Sequence, residues 1–136
     1  MPRAFLLLLC SALLACSEAQ PPLLATDVVV RPPLPGTVMG AAYLHLHNST
    51  ATPIVIDRVT SPDAVSVAMH ESVLENGVVR MQELQDLRIP AHESVEFAAG
   101  GKHLMLYFAD GVPEQITLQF MSADALLLSI DAVVGN

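Results

Sequence analysis

Cysteine is nearly absent from this chain: two occur in 136 residues, Cys10 and Cys16, and none follows. Any domain beyond residue 16 therefore has no disulfide and no thiolate to offer a metal. Soft-metal chemistry would fall on methionine, whose thioether cannot be captured in a disulfide, which suits an oxidising compartment. Basic residues are scarce too, six Lys and Arg against fourteen Asp and Glu. They are dispersed, so no basic patch exists to track a phosphate backbone, and nucleic acid is not expected as a partner. So acidic a chain is drawn toward cations instead. Catalytic motifs are also missing. Nothing forms a nucleophile elbow or a phosphate loop, Gly100-Gly101 is an isolated turn, and no spacing ties Ser, His and Asp into a triad. An enzyme is not expected.

Long apolar runs are confined to the start. Arg3 precedes an almost unbroken run from Ala4 to Leu14, too short to span a bilayer as a mature helix. It reads as an export signal. The sequence Leu13-Leu14-Ala15-Cys16 resembles the end of a bacterial lipoprotein signal, which implies cleavage before Cys16 and a lipid on that residue. Residues 1–15 are then the signal, 16–25 a membrane tether and 26–136 the folded domain. The mature chain keeps five basic residues against fourteen acidic ones, because the signal removes Arg3 and no acid. The expected location is extracytoplasmic, in a periplasm, anchored to a membrane. Ser17 after the cysteine favours the outer membrane if the cell is Gram-negative.

The domain reads as strands. Thr26–Arg31 is rich in β-branched residues and stops at Pro32-Pro33. Gly40–Asn48 alternates, with Ala42, Leu44 and Leu46 on one face and Tyr43, His45 and His47 on the other. Pro53–Thr60 and Ala64–Glu71 follow, then Asn76-Gly77, a strong hairpin signal because both residues tolerate positive φ. Val78–Leu84, Leu87–Ile89, Ser94–Phe97, Lys102–Phe108, Gln115–Met121 and Leu126–Val133 complete the set. No window shows a convincing helical period. Short strands with frequent turns predict a single all-β domain, a sandwich or small barrel.

On the strand Lys102–Phe108, Leu104, Leu106 and Phe108 share one face, and His103 and Met105 share the other. An imidazole and a thioether thus project side by side, and two such neighbours can chelate one ion. Val65, Val67 and Met69 likewise alternate with Ser66, Ala68 and His70, which puts His70 off the apolar face. Met81 lies across the Asn76-Gly77 turn, and a hairpin would fold it back toward His70.

These four residues have the spacing H-x10-M-x21-H-x-M. The chain thereby resembles the periplasmic copper chaperone family PCuAC, whose signature has these intervals. The surroundings agree: Gly40-Ala41-Ala42-Tyr43, Met69-His70-Glu71, Asn76-Gly77-Val78-Val79-Arg80-Met81, Ile89-Pro90-Ala91 and Gly100-Gly101-Lys102-His103-Leu104-Met105. The resemblance spans roughly residues 27–134. It implies a cupredoxin-like β-barrel or sandwich and Cu(I) held by His70, Met81, His103 and Met105. It also implies delivery to a copper-accepting protein, such as a cytochrome c oxidase subunit or assembly factor, toward the CuA centre. The chemistry of the donors agrees. Cu(I) is soft and accepts thioether and imidazole, zinc favours thiolate, imidazole or carboxylate, and calcium and magnesium want oxygen. A blue-copper centre needs a thiolate that the domain lacks.

The other candidates have plainer readings. Met39, Met69 and Met121 read as packing residues. His45 and His47 form an H-x-H pair that reads as a solvated strand face, with a second, weaker metal site as the alternative. His92 reads as an exposed turn residue, and Glu71 as pointing away from His70. Two rival functions remain: a membrane-anchored copper buffer with no dedicated acceptor, and a structural β-sandwich module.

Overall fold

The computed structural model describes residues 20–135. The expected signal and Cys16 lie outside them. Eleven strands occur among the described residues: β1 (Leu23–Arg31), β2 (Met39–Asn48), β3 (Ile54–Ile56), β4 (Arg58–Thr60), β5 (Ser66–Glu75), β6 (Val78–Glu83), β7 (Leu87–Ile89), β8 (Ser94–Phe97), β9 (Lys102–Tyr107), β10 (Gln115–Ser122) and β11 (Ala125–Val133). No helix is present among these residues, so none is long and apolar enough to cross a membrane.

Period-two alternation builds the core. Ala42, Leu44 and Leu46 of β2, Leu104 and Leu106 of β9, and Ile116, Leu118 and Phe120 of β10 are all buried, and the residues between them are not. The large sheet runs β1-β2-β9-β5-β6, with β8 also pairing β2. Its neighbours are a three-stranded sheet, β11-β10-β4, and the pair β3-β7. Side chains from both sides fill one core, including Ile54, Ile56, Val59, Ile89 and Phe97. Burying each such aliphatic or aromatic side chain contributes about 1.5–3 kcal/mol before entropy is counted. A parallel bridge, Val30 to Val134, ties the last residues of the chain to β1. The all-β expectation is borne out.

Three departures from the expected strands are larger than a shift of one or two residues. β1 begins at Leu23, inside the segment expected to be tether, because Leu23 is fully buried and pairs with Asn48. Pro53–Thr60 is two strands, since the chain changes sheet at Asp57. β3 pairs with β7, β4 pairs with β10, and the Asp57 carboxylate accepts from the Ala123 amide. β5 runs four residues past its expected end, to Glu75, because the partner strand of the hairpin supplies hydrogen bonds up to the turn. That turn is the expected one: Asn76 and Gly77 have φ of 52° and 81°, values that fit a type I′ turn.

Asn48, at the end of β2, is a fully buried polar side chain. Its amide nitrogen lies 2.8–3.1 Å from the carbonyls of Thr52, Ile89 and Pro90, and its oxygen accepts from Thr50 N and Oγ1. It pins the loop after β2 to the end of β7. Gly40, near the other end of β2, is required by close approach. A Cβ there would sit 2.7 Å from the Arg31 carbonyl and 3.0 Å from the Phe108 ring.

Candidate metal centre

The side of the large sheet turned away from the core carries the four candidate ligands. In an antiparallel ladder, directly opposed residues share a face. His70 of β5 stands opposite His103 of β9, and Ala68 opposite Met105. In the hairpin, Ser72 stands opposite Met81, and His70 opposite Glu83. Alternation then puts His70, Met81, His103 and Met105 on one face. Met105 is two residues along from His103, and Met81 is the diagonal neighbour of His70. Diagonal neighbours lie about 7–8 Å apart at Cα, within reach of a side chain as long as methionine. The structure thus brings the four sequence-predicted residues onto one surface across three adjacent strands.

The two imidazoles are close but not stacked: ring centroids are 5.9 Å apart and the planes tilt by 43°. Their hydrogen bonds differ. His103 Nδ1 lies 3.0 Å from the Gly101 carbonyl. A carbonyl can only accept, so Nδ1 carries the hydrogen and neutral His103 keeps its lone pair on Nε2. His70 Nδ1 is buried and has no hydrogen-bond partner. A buried ring nitrogen without a partner is costly, and a metal ion is one group that would satisfy it. Directly behind the pair, on the opposite face, Glu71 and Lys102 form an ion pair at 2.6 Å. Glu71 therefore points away from His70, as expected.

Of the four candidate donors, Met81 is exposed and His70, His103 and Met105 are part-buried. Every residue of β6 is exposed, and Met81 is 56% exposed. No cluster of three or more His, Cys, Asp or Glu side chains suited to a metal occurs among the described residues. The face adds the thioethers of Met81 and Met105 to the two imidazoles.

The other candidates divide. Met69 is buried in the core at 4% exposure, as a packing residue should be. Met39 is not: it is 39% exposed at the start of β2 and lines a cavity of about 320 Å³ together with Tyr43, His103 and Met105. His45 and His47 face outward, and both have partners. His45 Nδ1 is 3.0 Å from Asp27, its Nε2 is 3.3 Å from Glu96, and His47 Nδ1 is 2.9 Å from Ser94 Oγ. The Asp27 carboxylate, then that of Glu96, pushes the His45 pKa above its ordinary value, and the His45 imidazole holds that of Asp27 below its own. His92 sits in a turn at φ 59°. Sequence reasoning missed Glu83, although the two-residue turn at Asn76-Gly77 sets the register that places it opposite His70. It also missed the cavity, whose walls come from distant segments.

Comparison with known proteins bears on the family and the fold. The family described as "Putative lipoprotein LpqE-like" matches residues 23–131. "Putative lipoprotein Lxx21020" of Leifsonia xyli subsp. xyli is 38% identical over 72 residues, 52% of this chain and 43% of that protein, so the match spans less than half of the relative's length. Among solved structures, the apo PCuAC domain of PmoF2 is 25% identical, with 83% of this chain and 89% of that chain covered and a TM-score of 0.62. The copper-bound form of the PmoF2 domain gives 24%, 83%, 92% and 0.63. Apo-DR1885 from Deinococcus radiodurans gives 23%, 98%, 93% and 0.60. The likeness to PCuAC domains read from the spacing of two histidines and two methionines is therefore present in the fold itself. The chain belongs to the LpqE-like lipoprotein family, built on the fold of the PCuAC domain.

Proposed function

We propose that this protein is an extracytoplasmic copper(I) chaperone, anchored to a membrane through Cys16. It takes one Cu(I) on His70, Met81, His103 and Met105 and passes it to a copper-accepting protein on the way to the CuA centre of cytochrome c oxidase. The observation that carries this reading is the unpartnered, buried Nδ1 of His70 on a face shared with His103, Met105 and Met81. The known copper-bound PCuAC domain of PmoF2, on the same fold, supports it. Neutral imidazole and thioether donors suit a soft ion and add no charge. An exposed site on an open sheet lets an acceptor's ligands approach while the first ligands still hold. The chain's excess of acid, fourteen Asp and Glu against six Lys and Arg, draws cations in.

An anaerobic Cu(I) titration of the full chain against a competing chromophoric chelator tests the reading. The expected result is one Cu(I) per chain, lost on replacing both methionines. Uptake of zinc but not Cu(I) would overturn it. Transfer to a CuA domain, followed spectroscopically, separates a chaperone from a copper buffer that releases only to small chelators. For the anchor, Cys16→Ser should move the protein from the membrane fraction to the soluble exported one. A wild-type chain already wholly soluble after export would refute the lipid.

A further inference from the structure

We infer that Met39 is a transfer ligand: a third thioether that takes Cu(I) from the Met81 side of the site and presents it at the cavity beside β9. The inference rests on the copper reading above and concerns the route by which the ion leaves.

Three of the five described methionines, Met39, Met81 and Met105, lie on the same outward face of the large sheet, whereas Met69 is core. Met39 stands opposite Tyr107, and Ala41 opposite Met105. Met39 is thus the diagonal neighbour of Met105, as Met81 is of His70. Diagonal pairs lie within reach of long side chains. The residue between them on β2 is Ala41, too small to block the approach. Met39, His103 and Met105 line one cavity of about 320 Å³, open to solvent beside the site. The backbone is fixed there: Phe108 N donates to the Val38 carbonyl at 2.9 Å, and Gly40 packs with no room for a Cβ. The long, unbranched side chain remains adaptable. Met39 is 39% exposed, so its side chain is not committed to the core as that of Met69 is.

The step is a ligand exchange. A lone pair on Met39 sulfur forms a bond to Cu(I) as the Met81 sulfur–copper bond breaks. One neutral thioether replaces another, so charge and oxidation state do not change. His103 and Met105, on the central strand, hold the ion through the exchange. Copper then sits on the cavity side, away from the β5–β6 hairpin, where an acceptor's soft ligand completes the removal.

The test follows Cu(I) release from the full loaded chain to bicinchoninate by anaerobic stopped flow. Equilibrium affinity is measured with the same chelator. Met39→Leu conserves approximate volume, and Met121→Leu is the control. Met39→Leu should slow release about tenfold, equivalent to about 1.4 kcal/mol of barrier, with affinity changed less than about twofold. Met121→Leu should change neither. A second measurement needs no variant: with methyl-labelled methionine and substoichiometric Cu(I), the Met39 methyl resonance should broaden by exchange while that of Met69 stays sharp. Unchanged release in Met39→Leu, an unperturbed Met39 methyl, or an affinity loss as large as that of Met81→Leu would each overturn the transfer role and leave the copper reading standing. A wild-type chain that takes up no Cu(I) overturns both.

Discussion

Two pairs of histidines occupy the same face of the same sheet, and they have opposite circumstances. His45 and His47 lie on one strand, two residues apart. Both rings are engaged, His45 by a carboxylate at each nitrogen and His47 by a serine hydroxyl. His70 and His103 lie on neighbouring strands, directly opposed. One of them has a buried nitrogen without a partner, and the other is oriented by a backbone carbonyl that leaves Nε2 free. As a sequence pattern, H-x-H is the more familiar metal signal. The rings differ in what already surrounds them: an imidazolium donating to two carboxylates, as at His45, has no lone pair to spare, whereas His70 Nδ1 has no partner.

The largest expected effect tests that contrast directly. Replacing His70 and His103 together with alanine should weaken Cu(I) binding by about 100-fold or more, about 2.7 kcal/mol. Replacing His45 and His47 together should change it less than about twofold. A competition titration on the two folded double variants decides. Equal losses would mean that copper does not distinguish the pairs.

The thioethers sharpen the same comparison by oxidation state. Imidazole serves both Cu(I) and Cu(II), whereas thioether prefers the softer Cu(I). Met81→Leu with Met105→Leu should therefore lose most Cu(I) affinity and keep some Cu(II) binding through His70 and His103. Stability should fall by less than about 1.5 kcal/mol, because the exchange conserves approximate volume. Parallel Cu(I) and Cu(II) titrations, with a denaturation curve for each variant, check both halves. Loss of Cu(II) in step with Cu(I) would mean that the methionines matter for folding rather than for the soft ion.

Much of this was legible in the sequence because it depends on local periodicity. Alternation put Leu104 inward and His103 and Met105 outward, and the Asn76-Gly77 turn fixed the hairpin that returns Met81 toward His70. What was not legible depends on pairing between distant segments. Nothing local says that Ala41 meets Met105, so the exposed Met39 read as packing. Nothing local says that Asp27, held at φ 53° where the β1–β2 register shifts, would reach His45. The split at Asp57 was hidden for the same reason, because the sheets that Ile54–Ile56 and Arg58–Thr60 join are set by the distant strands β7 and β10.

A smaller effect separates the two faces behind the open pair. Glu71 and Lys102 adjoin His70 and His103 in sequence but form their ion pair on the opposite face, each about a quarter exposed. Glu71→Gln should cost about 1 kcal/mol or less, the range for ion pairs that solvent still reaches. Cu(I) affinity should be unchanged. A copper loss comparable to that of His70→Ala would place Glu71 in the site and contradict the alternation that assigns it elsewhere.

The smallest effect concerns the closed pair and its response to pH. The Asp27 carboxylate accepts from His45, and its hydrogen bond is the largest cause raising the imidazole above its ordinary value of 6.5, with Glu96 adding to it. The same bond, assisted by Thr26, lowers Asp27 below 3.8. The His45 contribution to stability is therefore complete below pH 6.5 and is lost as pH rises through its raised folded value. The Asp27 contribution is complete above pH 3.8 and is lost as pH falls through its lowered folded value. Both are present in full between those two ordinary values, and solvent exposure keeps the gain small. The His45 ring resonances should titrate with a midpoint above 6.5. Asp27→Asn should lower that midpoint, and Glu96→Gln should lower it less. The Asp27 variant frees one ring nitrogen on His45, so it also asks whether the carboxylates are what keep the H-x-H pair from metal. Cu(II) binding that appears at His45 and His47 only in Asp27→Asn would show that saturation is the reason. A wild-type midpoint at or below 6.5, or one that ignores Asp27, would mean that His45 was never closed and that the contrast between the pairs has another origin.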